Sequence, residues 1–100
     1  TKPYAPPLSS SLFPLGQLLI TPCALETLNV EGFRVADYVE RHVCGDWREM
    51  HAEDARANRE AVTEGARIFS SFQLGSSGRV IWVITEADRS ATTILLPSDY

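Results

Sequence analysis

A chain of 100 residues and 11.1 kDa supports one domain with a single modest core. Hydrophobic residues at 44% and charged residues at 22% exclude a chain disordered throughout, a collagen-like repeat and a low-complexity sequence. The net charge of −4 counts against a strongly basic nucleic-acid module, and it is too small for an acidic mimic of duplex DNA.

The amino end reads Thr1-Lys2-Pro3-Tyr4-Ala5-Pro6-Pro7 and lacks the basic-then-apolar order of a secretory signal. No apolar run approaches the roughly 18 residues that span a bilayer. The expectation is a cytoplasmic protein with no membrane partner, its two cysteines, Cys23 and Cys44, reduced. Four of the six prolines fall in the first fourteen residues, with Ser9, Ser10 and Ser11 among them. Residues 1–12 therefore read as an extended, solvated arm, and 13–100 as the domain.

Leu15–Ile20 is short, apolar and bounded by Pro14 and Pro22, which suits a strand. Thr21-Pro22 reads as a helix start, a hydroxyl cap followed by proline at the first helical position. The helix Cys23–Leu28 is expected to bury Leu25 and Leu28 and to end at Asn29. Val35, Tyr38, Val39, His42 and Val43 recur at helical spacing, which predicts a helix from Arg34 to Cys44 that Gly45 stops. Ala52 to Glu64 is rich in strong helix formers, with Ala55, Asn58, Val62 and Ala66 as its inner face and Gly65 as terminator.

Three strand-like runs close the chain: Arg67–Leu74, Arg79–Thr85 and Ser90–Leu96. The turns Gly75-Ser76-Ser77-Gly78 and Glu86–Arg89 are short, so neighbouring strands must run antiparallel. Val80-Ile81-Trp82-Val83-Ile84 reads as buried on both faces, with Trp82 in the core. The expected fold is α+β: two or three short helices packed on an antiparallel sheet of three to four strands, ending in a C-terminal β-meander.

No constellation carries catalysis. His42, Cys44, His51 and Cys23 have no metal-ligand spacing, so no metal site is expected. Cys23 sits behind Pro22 at a helix start, where the dipole lowers a thiol pKa, but no base can be assigned to it. Glu53 and Asp54 are adjacent and diverge around a helix, while Glu60 and Glu64 share a solvated face. No glycine-rich phosphate loop exists, and no cofactor is implied. The most charged turn, Glu86, Asp88, Arg89 and Ser90, can either bond its own backbone or present a forked guanidinium to a partner, and it is the candidate recognition site.

The runs Phe13-Pro14-Leu15-Gly16, Gly45-Asp46-Trp47 and Ile84–Pro97 resemble those of a family of small proteins carried on plasmids and integrative elements. The family label is commonly hypothetical or plasmid-related protein, and the resemblance covers Phe13 to Tyr100. It implies a bacterial mobile-element setting and transfers no catalytic residue. The leading expectation is a non-enzymatic accessory protein acting by protein–protein contact, with anti-restriction or other counter-defence as its most concrete form. The partner is an unidentified protein, and a second copy of the chain is a further candidate. The competing expectation is a nucleic-acid binder or toxin-like ribonuclease using Arg56, Arg59, Arg67, Arg79 and Arg89, with Trp82 or Phe72 stacking bases. A continuous positive groove favours that competitor; scattered, paired charges favour the protein binder.

Overall fold

Thr21 has an extended backbone and its hydroxyl accepts the Ala24 amide at 3.2 Å, so the sequence's cap-proline pair does start a helix. In the computed structural model, which describes residues 11–100, β1 (Gln17–Ile20) leads into three helices, α1 (Pro22–Glu31), α2 (Val35–Val43) and α3 (Ala52–Glu64). Strands β2 (Ile68–Gln73), β3 (Val80–Thr85) and β4 (Ala91–Leu95) follow, with a last 3-10 turn at Pro97–Asp99. The fold is α+β, with three helices packed on a four-stranded mixed sheet.

The sheet order is β1-β4-β3-β2. The two short turns make β2, β3 and β4 an antiparallel meander, while the helical excursion lets β1 return beside β4 in parallel register, Gln17 opposite Ala91 and Ile20 opposite Ile94. Gly16 makes that approach possible. Its φ is +65°, and a Cβ there would overlap the Arg89 and Ser90 carbonyl groups.

Alternation along the strands gives two faces. Ile68, Ser70, Phe72, Ile81, Val83, Thr85, Thr92 and Ile94 are buried on the helix-facing side. Ala24, Leu28 and Tyr38 pack there against Phe72, Ile81, Val83 and Ile94. A second cluster joins Phe13, Val43, Trp47, Ala55, Ala61 and Ile68. The opposite face carries Phe69, Ser71, Gln73, Val80 and Trp82, all half-buried or exposed, together with Ile84 and Leu95, which are buried.

Four sequence expectations change. The first helix runs to Glu31 and is capped by Gly32 at φ +78°, so Asn29 lies inside it. Its Leu25 is exposed while Leu28 is buried, because Ala24 and Leu28, four apart, already form the inward line. Trp82 is not in the core: β3 is an inner strand, but its pleat directs Trp82 away from the helices, on the face that also bears Phe69 and Val80. In α3 the buried positions are Ala55, Asn58 and Ala61, with Val62 half-buried. Of the arm 1–12, residues 1–10, with Tyr4 and Leu8, lie outside the described residues; the Leu12 amide donates to the Val43 carbonyl at 2.9 Å.

Candidate functional site

His42 lies on the inward face of α2 and is fully buried. Its Nδ1 is 2.6 Å from Ser70 Oγ, and its Nε2 is 2.8 Å from Thr85 Oγ1. The network continues to Thr92 Oγ1 at 2.7 Å, and the Thr92 hydroxyl donates to the Leu15 carbonyl at 2.7 Å. At its other end the Trp47 indole N–H donates to Ser70 Oγ at 2.7 Å. The Leu15 carbonyl can only accept, which fixes the bonds from Thr92 back to Nε2–H, and burial keeps the ring neutral, so Nδ1 accepts from Ser70. Ser70 donates to Nδ1, Nε2–H donates to Thr85, Thr85 donates to Thr92, and Thr92 donates to Leu15. His42 is therefore the neutral Nε2–H tautomer. A protonated ring would leave Ser70 with two donors aimed at it and no acceptor for its own hydrogen. Burial lowers the His42 pKa from 6.5 to about 3.

A serine beside a histidine is the geometry of an activated nucleophile. Here Ser70, His42, Thr85 and Thr92 are each 0% exposed, so substrate cannot reach them. The network ties α2 to β2, β3 and β4, with no buried side-chain donor or acceptor left unpaired among the described residues.

One accessible concavity is on the sheet face away from the helices. A groove of about 570 Å³ lies between that face and the start of α3, floored by Phe69, Val80 and Trp82. The Phe69 and Trp82 rings meet edge-on at 4.7 Å, and Tyr100 meets Trp82 edge-on at 5.8 Å. Glu49, His51, Asp54 and Arg67 also line the groove. The Arg67 guanidinium lies 5.6 Å from the Tyr100 ring centre and donates to its hydroxyl at 3.0 Å. Glu49 is held by Arg41 at 3.4 Å and accepts the Gln73 amide at 3.1 Å. An aromatic floor with a charged rim is suited to bind an apolar side chain or an extended peptide.

The turn singled out in the sequence is largely self-bonded. Arg89 has φ +60°, the one non-glycine residue with positive φ among the described residues. Its guanidinium donates to the carbonyls of Ala66 at 2.6 Å, Ala61 at 3.0 Å and Glu86 at 3.2 Å, and lies 5.6 Å from the Phe13 ring centre. It thus satisfies carbonyls at the C-terminal end of α3, where a cation is favoured. Asp88 accepts the Ser90 amide at 2.9 Å, and hydrogen bonding from Ser90 holds its carboxyl below the usual range. The Glu86 carboxylate is 3.8 Å from Arg67.

The other arginines do not converge. Arg56 pairs with Glu60 at 3.1 Å on the outer side of α3, and Arg79 pairs with Glu31 at 3.1 Å. Arg59 is exposed on α3, and only Arg67 lines the groove. Phe72 is buried on the helix side, so it cannot stack a base beside Trp82. Cys23 is exposed and Cys44 half-buried, both as free thiols; burial raises the Cys44 pKa, with Glu40 and Asp46 adding to it. Among the described residues no three His, Cys, Asp or Glu side chains converge as a metal site. No described helix is long and apolar enough to cross a membrane.

No family model, curated protein or solved structure matches the chain. The groove therefore has to be read from its own chemistry. Sequence reasoning placed Trp82 in the core and did not single out Phe69 or Tyr100 for a site. The signal that could have found Phe69 is the alternation Phe69-Ser70-Ser71-Phe72, which puts one aromatic on each face of β2; nothing comparable marks Tyr100.

Proposed function

We propose that this chain is a non-enzymatic binding module that engages a protein partner through the groove floored by Trp82 and Phe69. The observation that carries the reading is the placement of these two aromatics. A tryptophan left half-buried in a concave, mainly apolar floor is the kind of anchor that dominates protein interfaces, and charged residues at the rim match their usual polar surround. The setting is that of a mobile element, with anti-restriction or counter-defence as its concrete form; this part of the proposal rests on the resemblance of Phe13–Gly16, Gly45–Trp47 and Ile84–Pro97.

The nucleic-acid alternative is less well supported. A backbone-tracking site needs a positive channel. Glu49 and Asp54 line the groove along with Arg67, and Arg56 and Arg79 are each paired with a glutamate elsewhere. Affinity capture from bacterial lysate, with and without nuclease, tests the choice. A protein retained by the wild-type chain after nuclease treatment, and lost with Trp82→Ala, is the expected result. Recovery of nucleic acid alone would overturn it.

A further inference from the structure

The two edges of the sheet are treated differently. The backbone of β2 at Phe69 is closed by Asn58, whose side-chain amide donates to the Phe69 carbonyl at 2.7 Å and accepts its N–H at 3.1 Å. Further along, the Gln73 amide is taken by Glu49 at 3.1 Å. Side chains of α3 and its lead-in thus stand where another strand would pair.

At the other edge β1 has no such guard among the described residues. Gln17 N–H donates to the Ser90 carbonyl at 2.9 Å and Thr21 N–H to the Ile94 carbonyl at 3.0 Å, so the odd-numbered peptide groups point toward β4. In a parallel ladder the alternate groups point the other way. The N–H and C=O of Leu18 and Ile20 therefore face outward. The strand Gln17-Leu18-Leu19-Ile20 is short but carries no charge, no proline and no bulge, three of the devices that blunt a sheet edge, and Leu18 and Leu19 are 48% and 42% exposed.

We propose that β1 is a self-association edge and that its occupant is β1 of a second copy of this chain, laid antiparallel about a two-fold axis through Leu19. The strand matches a second copy of itself, independent of the groove. Leu18 and Ile20 stand one on each side of Leu19, so antiparallel apposition puts each Leu18 opposite the second copy's Ile20. Both exchange N–H and C=O bonds, giving two reciprocal pairs. The closed two-fold contact is satisfied by one patch on each protomer. Leu19 meets its own counterpart at the close, non-hydrogen-bonded spacing, where apolar pairs stabilise and like charges destabilise. The neutral strand brings no like charges together, and the product is one continuous eight-stranded sheet.

Sedimentation of the full chain over a concentration series tests this. Wild type should approach twice the 11.1 kDa protomer mass. Leu19→Lys, at an exposed position, should keep its far-UV circular dichroism and stay monomeric; Trp82→Ala should remain dimeric. Amide exchange gives a second reading that needs no variant: at Leu18 and Ile20 it should slow by roughly tenfold or more as the dimer fills. A monomer at every concentration would overturn the proposal, as would a dimer untouched by Leu19→Lys. Exchange at Leu18 and Ile20 that does not depend on concentration would also overturn it.

Discussion

Acidification from pH 7 to pH 5 should weaken the fold through His42. In the unfolded chain this imidazole takes up its proton at its ordinary 6.5; in the folded chain it stays neutral until about 3. The unfolded state therefore binds more protons throughout that window, and stability rises with pH. The contribution is complete above 6.5 and is lost progressively as the pH falls from 6.5 to 3. At 1.36 kcal/mol per unit, the loss is about 2 kcal/mol at pH 5 and about 5 kcal/mol near pH 3. Against a total stability of about 5–15 kcal/mol this is a large fraction. Asp88 and Asp99, whose pKa values are lowered by hydrogen bonds from Ser90 and Thr21, act in the same direction only at lower pH, so the interval 7 to 5 isolates the histidine. Urea unfolding at pH 7, 6 and 5 reads the effect as a midpoint falling by about 1 M, for a slope near 2 kcal/mol per molar. His42→Gln is the control: its amide offers an acceptor to Ser70 and a donor to Thr85 but cannot charge. Parallel pH profiles for wild type and His42→Gln would refute the reasoning, as would a His42 ring signal that titrates near 6.5 in the folded protein.

Trp82→Ala should cost about 1–2 kcal/mol, because the ring is half-buried and loses mainly its edge contacts with Phe69 and Tyr100. A loss above about 3 kcal/mol in chemical unfolding would return Trp82 to the core. Arg89→Ala should cost about 1–3 kcal/mol by freeing the carbonyls of Ala61, Ala66 and Glu86, and amide exchange at Gly65 and Ala66 should speed up. Arg89→Lys should recover little of this, since an ammonium cannot reproduce the fork; full recovery in thermal unfolding would contradict the capping role. Gly16→Ala should destabilise by several times the roughly 1 kcal/mol expected of Gly65→Ala: both have positive φ, but only Gly16 faces backbone where the methyl would sit. Equal melting temperatures for the two variants would count against the close approach of Gly16 to Arg89 and Ser90.

The α+β architecture was legible because its signals are local. Thr21-Pro22, Gly45 and Gly65 mark helix limits in the sequence, and the two tight turns require an antiparallel meander. The parallel placement of β1 was not legible, since nothing in Gln17–Ile20 distinguishes pairing with β4 from pairing with β2. The misplacement of Trp82 has a physical origin. A run of five apolar residues hides the alternation between faces, and on the face away from the helices Ile84 is buried while Val80 and Trp82 stay partly accessible. The groove was unread for the same reason: Phe69 and Trp82 come from two strands, Arg67 from the residue before β2 and Asp54 from a helix, and their convergence is a property of register. Arg89 was legible as a forked donor at a turn, but its acceptors, the carbonyls of Ala61 and Ala66, lie 23 and more residues away in sequence. The His42 network likewise joins α2, β2, β3 and β4 with Leu15 and Trp47, and its hydroxyl members carry no mark that sets them apart from other strand residues.

Oxidative labelling of the two tryptophans, in the free chain and in the captured complex, tests the groove most directly. Trp47 is buried and bonded to Ser70, so it should stay unlabelled in both and serve as an internal reference. Trp82 should be labelled in the free chain and protected in the complex, with protection extending to Met50 on the groove wall. Trp82 labelled equally in both states, with protection found instead around Glu86–Ser90 or on the paired arginines, would contradict the account.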